Sequence, residues 1–158
     1  MLMTATQRDV AGVVRRILMG TLLLGMLGTT AELLLLGHYE DAKQLIPLAL
    51  VGMAFAVLAW HAAAGRAASV RALQLMMLLF IGAGLLGSVL HFRSSMEFQL
   101  ETDPSLRGRK LLSKLMRAKT PPVLAPGAMV QLGLLGLAFT YRHPARGSAG
   151  DPTTTTGA

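Results

Sequence analysis

The stretch LQLMMLLFIGAGLLGSVL, Leu73–Leu90, decides the fold. It runs for 18 residues without a charged side chain. At about 1.5 Å per residue, a helix of this length covers roughly 27 Å, close to the ~30 Å hydrocarbon core of a bilayer. Working outward, three more such runs appear: Ile17–Leu36, Leu45–Ala64 and Val123–Tyr141, of 20, 20 and 19 residues. The chain carries 15 Lys and Arg and 8 Asp and Glu, yet only Glu32 falls inside the four runs. Backbone polar groups cannot stay unpaired in lipid, so each run is expected to be a helix. The period-two alternation of a membrane barrel is absent.

Composition supports the same reading. Of 158 residues, 53% are hydrophobic and only 15% charged, with a mean hydropathy of +0.52. A soluble domain carries about 25% charge. The fold expected is therefore all-α: a polytopic membrane protein with four transmembrane helices, 17–36, 45–64, 73–90 and 123–141, in an antiparallel bundle. Residues 1–16 form a polar basic lead, residues 17–141 the membrane domain, and residues 142–158, small and polar, a disordered tail.

Between the third and fourth runs lies a different pattern. Residues 106–119 hold six basic residues and no acid. Leu111, Leu112, Leu115 and Met116 recur at helical spacing, with Arg109, Lys110, Lys114 and Arg117 filling the other side. This is the pattern of a short amphipathic helix lying on anionic lipid headgroups. The third helix meets no breaker until Asp103-Pro104 and is expected to run past the bilayer. Pro126-Gly127 is expected to delay the start of the fourth.

One rival reading concerns residues 1–31. Basic residues, an apolar run and Thr29-Thr30-Ala31 resemble a cleaved signal. Leu33–Leu36 resumes the apolar run at once, which favours a retained helix. Basic residues divide seven to eight between the two sides, so their count leaves orientation open. Arg8, Arg15 and Arg16 before the first helix point to cytoplasmic termini. A bacterial inner membrane is the expected location.

Small residues mark the expected packing faces: Gly25 and Gly28, Gly84 and Gly87, Gly133 and Gly136, with Gly52, Ala56, Ala59 and Ala63 on the second helix. In lipid, such residues let backbones approach, either within the chain or across a dimer. Gln74 and Gln131 can hydrogen-bond between helices. Gly25, Gly28 and Glu32 match Gly84, Gly87 and His91 at one constant offset, as a duplicated hairpin would give; chance in glycine-rich helices gives it as well.

Chemistry-bearing groups are few. Glu32 lies about one turn inside the first helix, and an intramembrane carboxylate usually faces protein or a cavity. Three readings follow. In the first, Glu32 ties the first helix to the third, with His91 as the candidate partner. Alternatively, Glu32, His38, His91 and Glu97 hold a divalent metal, since imidazole and carboxylate suit zinc, iron or manganese. In the third reading, Glu32 and His91 relay protons. No cofactor is otherwise expected. His61 is expected near the opposite surface, and His143 in the tail.

With no cysteine, thiolate metal sites, disulfides and thiol nucleophiles are excluded within the chain. Hydrolase, nucleotide-binding and metalloprotease signatures are missing. The net charge of +7 is spread over loops and tails, so headgroups rather than nucleic acid are the expected partner. These observations favour an accessory, assembly or structural subunit that contacts another membrane protein or a second copy. A metal- or proton-handling protein is the alternative, and an enzyme is less favoured than either.

Overall fold

The computed structural model describes residues 5–37, 39–117 and 124–145. Five helices follow in order: α1 (Ala5–Leu35), α2 (Leu45–Ala64), α3 (Ala67–Thr102), α4 (Gly108–Met116) and α5 (Leu124–Thr140). No strand occurs among the described residues. Three helices are long and apolar enough to cross a membrane: Asp9–Leu35 within α1, all of α2, and α3. At 17 residues, α5 covers about 25 Å and falls short of the hydrocarbon thickness.

Several boundaries differ from those read in the sequence. Residues 5–16 are not a separate lead; they form the first turns of α1, since nothing between Ala5 and Ile17 interrupts a helix strongly. α1 also runs unbroken through Thr29-Thr30-Ala31. α3 continues to Thr102 and stops where Asp103 turns extended ahead of Pro104. α4 is shorter than residues 106–119, and residues 118–119 lie outside the described residues. Pro126 does not delay α5; it sits in the first turn, where the missing N–H has no helical partner to lose. Residues 142–145 fold against the helices rather than trailing away, and residues 146–158 lie outside the described residues.

The core shows helical periodicity on each element. Leu22 and Met26 of α1, Leu50, Val51, Ala54 and Leu58 of α2, Leu73, Met76, Met77 and Phe80 of α3, and Met129, Leu132 and Phe139 of α5 form one buried cluster. The widest helix contact is α3 on α5, followed by α2 on α3 and α1 on α5. α1 approaches α2 only slightly, and the α1 and α3 backbones do not approach each other closely among the described residues. The packing order is thus α1–α5–α3–α2.

Glycines set the closest approaches. A methyl group at Gly84 would lie 2.7 Å from the Pro126 carbonyl oxygen, and one at Gly133 2.7 Å from the Met77 carbonyl oxygen. The α3–α5 contacts pair residues in reverse chain order, Gly84 and Gly87 with Pro126, Met77 with Gly133 and Gly136. Helical hydroxyls are satisfied locally: Thr21 donates to Ile17 O, Thr30 to Met26 O and Ser88 to Gly84 O. That back-bonding removes the cost of a bare hydroxyl in an apolar surround.

The outer surface is oily. Only 11–28% of the apolar windows is buried within the protein. Ile17, Leu24, Leu35, Leu75 and Leu86 are all more than half exposed. Soluble monomers do not carry contiguous apolar surface of this extent; an integral membrane protein does.

Candidate functional site

Among the described residues, Glu32 and His91 are both exposed, on helices whose backbones do not approach closely. Glu97 is exposed farther along α3, and His38 lies outside the described residues. No group of three or more His, Cys, Asp or Glu able to hold a metal forms among the described residues. Four cationic positions, Arg109, Lys110, Lys114 and Arg117, lie together on α4, as described below.

At the opposite end, a buried histidine cluster assembles that the sequence reading missed. His61 occupies the last turn of α2, where Gly65 closes the helix in the left-handed conformation (φ 56°) and returns its N–H to the His61 carbonyl. The chain then reverses at once into α3, which brings Ser69 under the His61 ring. His61 Nδ1 lies 2.9 Å from Ser69 Oγ, and Ser69 Oγ donates to the Arg66 carbonyl at 2.8 Å. A hydroxyl has a single proton. Since it points at Arg66, the Ser69 oxygen accepts from His61, so His61 carries its proton on Nδ1 and leaves Nε2 basic.

The end of α5 covers this pair. Phe139 meets the His61 ring edge-on at 5.9 Å, and the His143 ring stands 4.9 Å from it, also edge-on. The Ala145 N–H points to His143 Nδ1 at 3.3 Å, which places the neutral proton of His143 on Nε2. The turn that delivers His143 includes Arg142 at φ 46°, a strained conformation for a residue with a side chain. Arg15 of α1 donates to the Arg142 carbonyl at 3.0 Å and holds that turn down. Burial, then the nearness of His61 and Arg15, pushes the His143 imidazole below the ordinary histidine range. The sequence signal was slight: a Gly65-Arg66 turn after a terminal histidine, and a second histidine just past an apolar run.

A second site stands on the far side, where α3 outlasts its neighbours. Pro126 in the first turn of α5 lies against Gly84 and Gly87. From Gly87, α3 continues for 15 residues to Thr102, about 22 Å of helix. α4 packs on this projection and buries Leu115. The elbow is ordered by Asp103, which accepts from the Ser105 hydroxyl at 2.6 Å and the Ser105 N–H at 3.1 Å. Those two bonds, with Lys114 adding attraction, hold the Asp103 carboxyl below its usual range. Arg107 turns inward to the Pro104 and Leu106 carbonyls at 2.8 Å. Between α3 and α4 lies an open depression of ≈ 690 Å³, lined by Gln99, Arg109, Lys110, Ser113, Lys114 and Arg117.

Compared with known protein families, with curated proteins and with solved structures, the chain matches none.

Proposed function

We propose that this chain is a four-span integral membrane protein of the accessory or assembly type, which acts by contact with another membrane component. In this reading α5 is the fourth span, the four long elements form an antiparallel bundle, and both termini are cytoplasmic in a bacterial inner membrane. α4 is the amphipathic element, with its basic side toward anionic headgroups and its leucines toward α3.

The observation that carries the reading is Gln131. It lies on the outer side of α5, exposed, with no hydrogen-bond partner among the described residues. Its neighbour Val130 packs at Gly84, and Gly133 packs at Ile81, so it sits near mid-span. A carboxamide facing hydrocarbon is costly, and pairing across helices recovers about 1–2 kcal/mol. The face around it offers small residues, Gly127 and Ala138, at helical spacing. By contrast, among the described residues the interior is apolar apart from Thr29, His61, Ser69 and Thr140. That is the interior of a packed scaffold rather than of a transport path.

The test is complementation of a deletion phenotype, paired with cross-linking from position 131 in native membranes. Gln131→Leu is expected to lose complementation and the defined cross-linked species while still inserting in the membrane. Glu32→Gln and His91→Ala are expected to complement fully. The opposite pattern, Gln131→Leu silent and Glu32→Gln or His91→Ala inactive, contradicts the reading and favours metal or proton handling. Metal analysis of the purified protein then decides between those two.

A further inference from the structure

From the depression between α3 and α4 we infer a binding site for a diphosphate group, free or lipid-borne. The inference rests on reading α4 as the anion-facing element and adds what that element recognises. Arg109, Lys110, Ser113 and Lys114 fall on one face of α4, and Arg117 follows on the same side at its C-cap. All line the same depression as Gln99 of α3. Two guanidinium groups supply paired N–H donors, two ammonium groups supply compact charge, and Gln99 and Ser113 supply neutral donors.

Charge decides the class of ligand. Among the described residues, no carboxylate lines the depression. Among the described residues, no hydrogen bond or ion pair engages the side chains of Arg109, Lys110 or Arg117; Lys114 feels Asp103 at the elbow. Lys110 and Lys114, four apart on one helix, repel each other. A phosphodiester brings a single negative charge and leaves most of this field unbalanced. A diphosphate brings roughly three and spans two phosphate positions. The volume, ≈ 690 Å³, exceeds what one phosphate needs and lies within the ~300–1,000 Å³ of ordinary ligand sites.

Position separates this site from general headgroup attraction. Gln99 lies nine residues past Leu90, where the apolar run of α3 ends. That is about 13 Å along the helix axis, against roughly 5–8 Å of headgroup layer on each side of a bilayer. The mean tilt of ~20° shortens the height only slightly. The site thus stands in water just beyond the headgroup layer, open to a soluble diphosphate and within reach of a lipid-borne one that extends from the surface.

The experiment uses the full chain in phosphatidylcholine nanodiscs, with inorganic pyrophosphate as the soluble probe and farnesyl diphosphate as the lipid-borne probe. Saturable binding of either is expected, with the responsive probe identifying the source. Lys110→Ala and Lys114→Ala should each weaken it about tenfold. Gln99→Leu, which leaves net charge unchanged, should also weaken it about tenfold, as loss of a hydrogen bond to a charged group does. Lys43→Ala, a cation of the α1–α2 loop that does not line the depression, should bind as the parent does. Unchanged thermal unfolding of each variant shows that the fold is intact. Absence of binding in both arms overturns the inference. So does a pattern in which Gln99→Leu binds normally while Lys43→Ala weakens binding as much as the α4 variants. In that second case α4 still attracts anionic surfaces and only the discrete site falls.

Discussion

A methyl group added at Gly84 and one added at Gly25 meet different obstacles. At Gly84 it would strike the Pro126 carbonyl oxygen and the Val130 backbone nitrogen, at 2.7 and 3.0 Å. At Gly25 it would strike only the tip of the Leu132 side chain, at 2.5 Å. Backbone cannot yield as a side-chain end can. Gly84→Ala is therefore expected to destabilise by about 1–3 kcal/mol, as overpacking does. Gly25→Ala should cost less, and Gly28→Ala, with open space around it, should be neutral within about 0.5 kcal/mol. Unfolding in detergent measures the series. Glycines at close helical spacing were legible because their spacing is local. Which of them carry the contact was not, because that depends on the partner helix: Gly28 meets nothing, although it shares the pattern with Gly25.

The histidine cluster was illegible for the same reason on a larger scale. Nothing near His143 in the chain announces His61, and they meet only because α2 and α5 end at one level. The folded state holds His143 below its ordinary value of 6.5. Sign follows from linkage: the unfolded turn binds a proton more readily, so docking of residues 141–145 is complete above about pH 6.5 and is lost as pH falls through the folded value. The groups facing His143 are His61 from α2, Arg15 from α1 and Phe139 from α5. Nitrogen NMR of labelled histidine should show His143 titrating below pH 6.5, and Arg15→Ala should move that titration upward. A titration at or above 6.5 in the parent protein contradicts the docked turn.

At the scale of elements, α3 was legible nearly in full. Between Ala67 and Thr102 there is no proline, and its glycines sit within the apolar run, where packing against α5 compensates their low propensity. The continuation of α3 past its apolar run followed from that absence of breakers. α4 was legible as a pattern but not as a position: its leucines were expected to meet lipid, whereas Leu115 is buried at the α3 projection. Leu115→Ala should therefore release α4, at a cost of about 2–5 kcal/mol to that docking. Tryptic cleavage at Arg109 and Lys110 should become faster while the membrane helices stay resistant. Unchanged cleavage would place α4 elsewhere.

For the whole molecule, the packing order α1–α5–α3–α2 argues against a duplicated hairpin. A twofold relating α1 to α3 and α2 to α5 would make the α1–α2 and α3–α5 contacts equal. They are instead the weakest and the strongest among these helices. The matched Gly25, Gly28 and Glu32 against Gly84, Gly87 and His91 are then a coincidence of glycine-rich helices. Glu32 and His91 were legible as unusual residues, but the diagonal placement of their helices was not, because chain order does not say which helices are neighbours. The oily exterior, by contrast, was legible from composition alone.

The central proposal is that the chain crosses a bilayer four times, with α5 as the short fourth crossing. The native sequence has no cysteine, so single introduced thiols report their side without interference. Membrane-impermeant labelling in sealed vesicles would compare Asp41→Cys, Arg66→Cys, Ser105→Cys and Ser148→Cys. The account predicts that positions 41 and 105 label from one side, and 66 and 148 only from the other. Labelling of 105 and 148 from the same side would remove the fourth crossing, and labelling of 41 and 66 from the same side would remove the second.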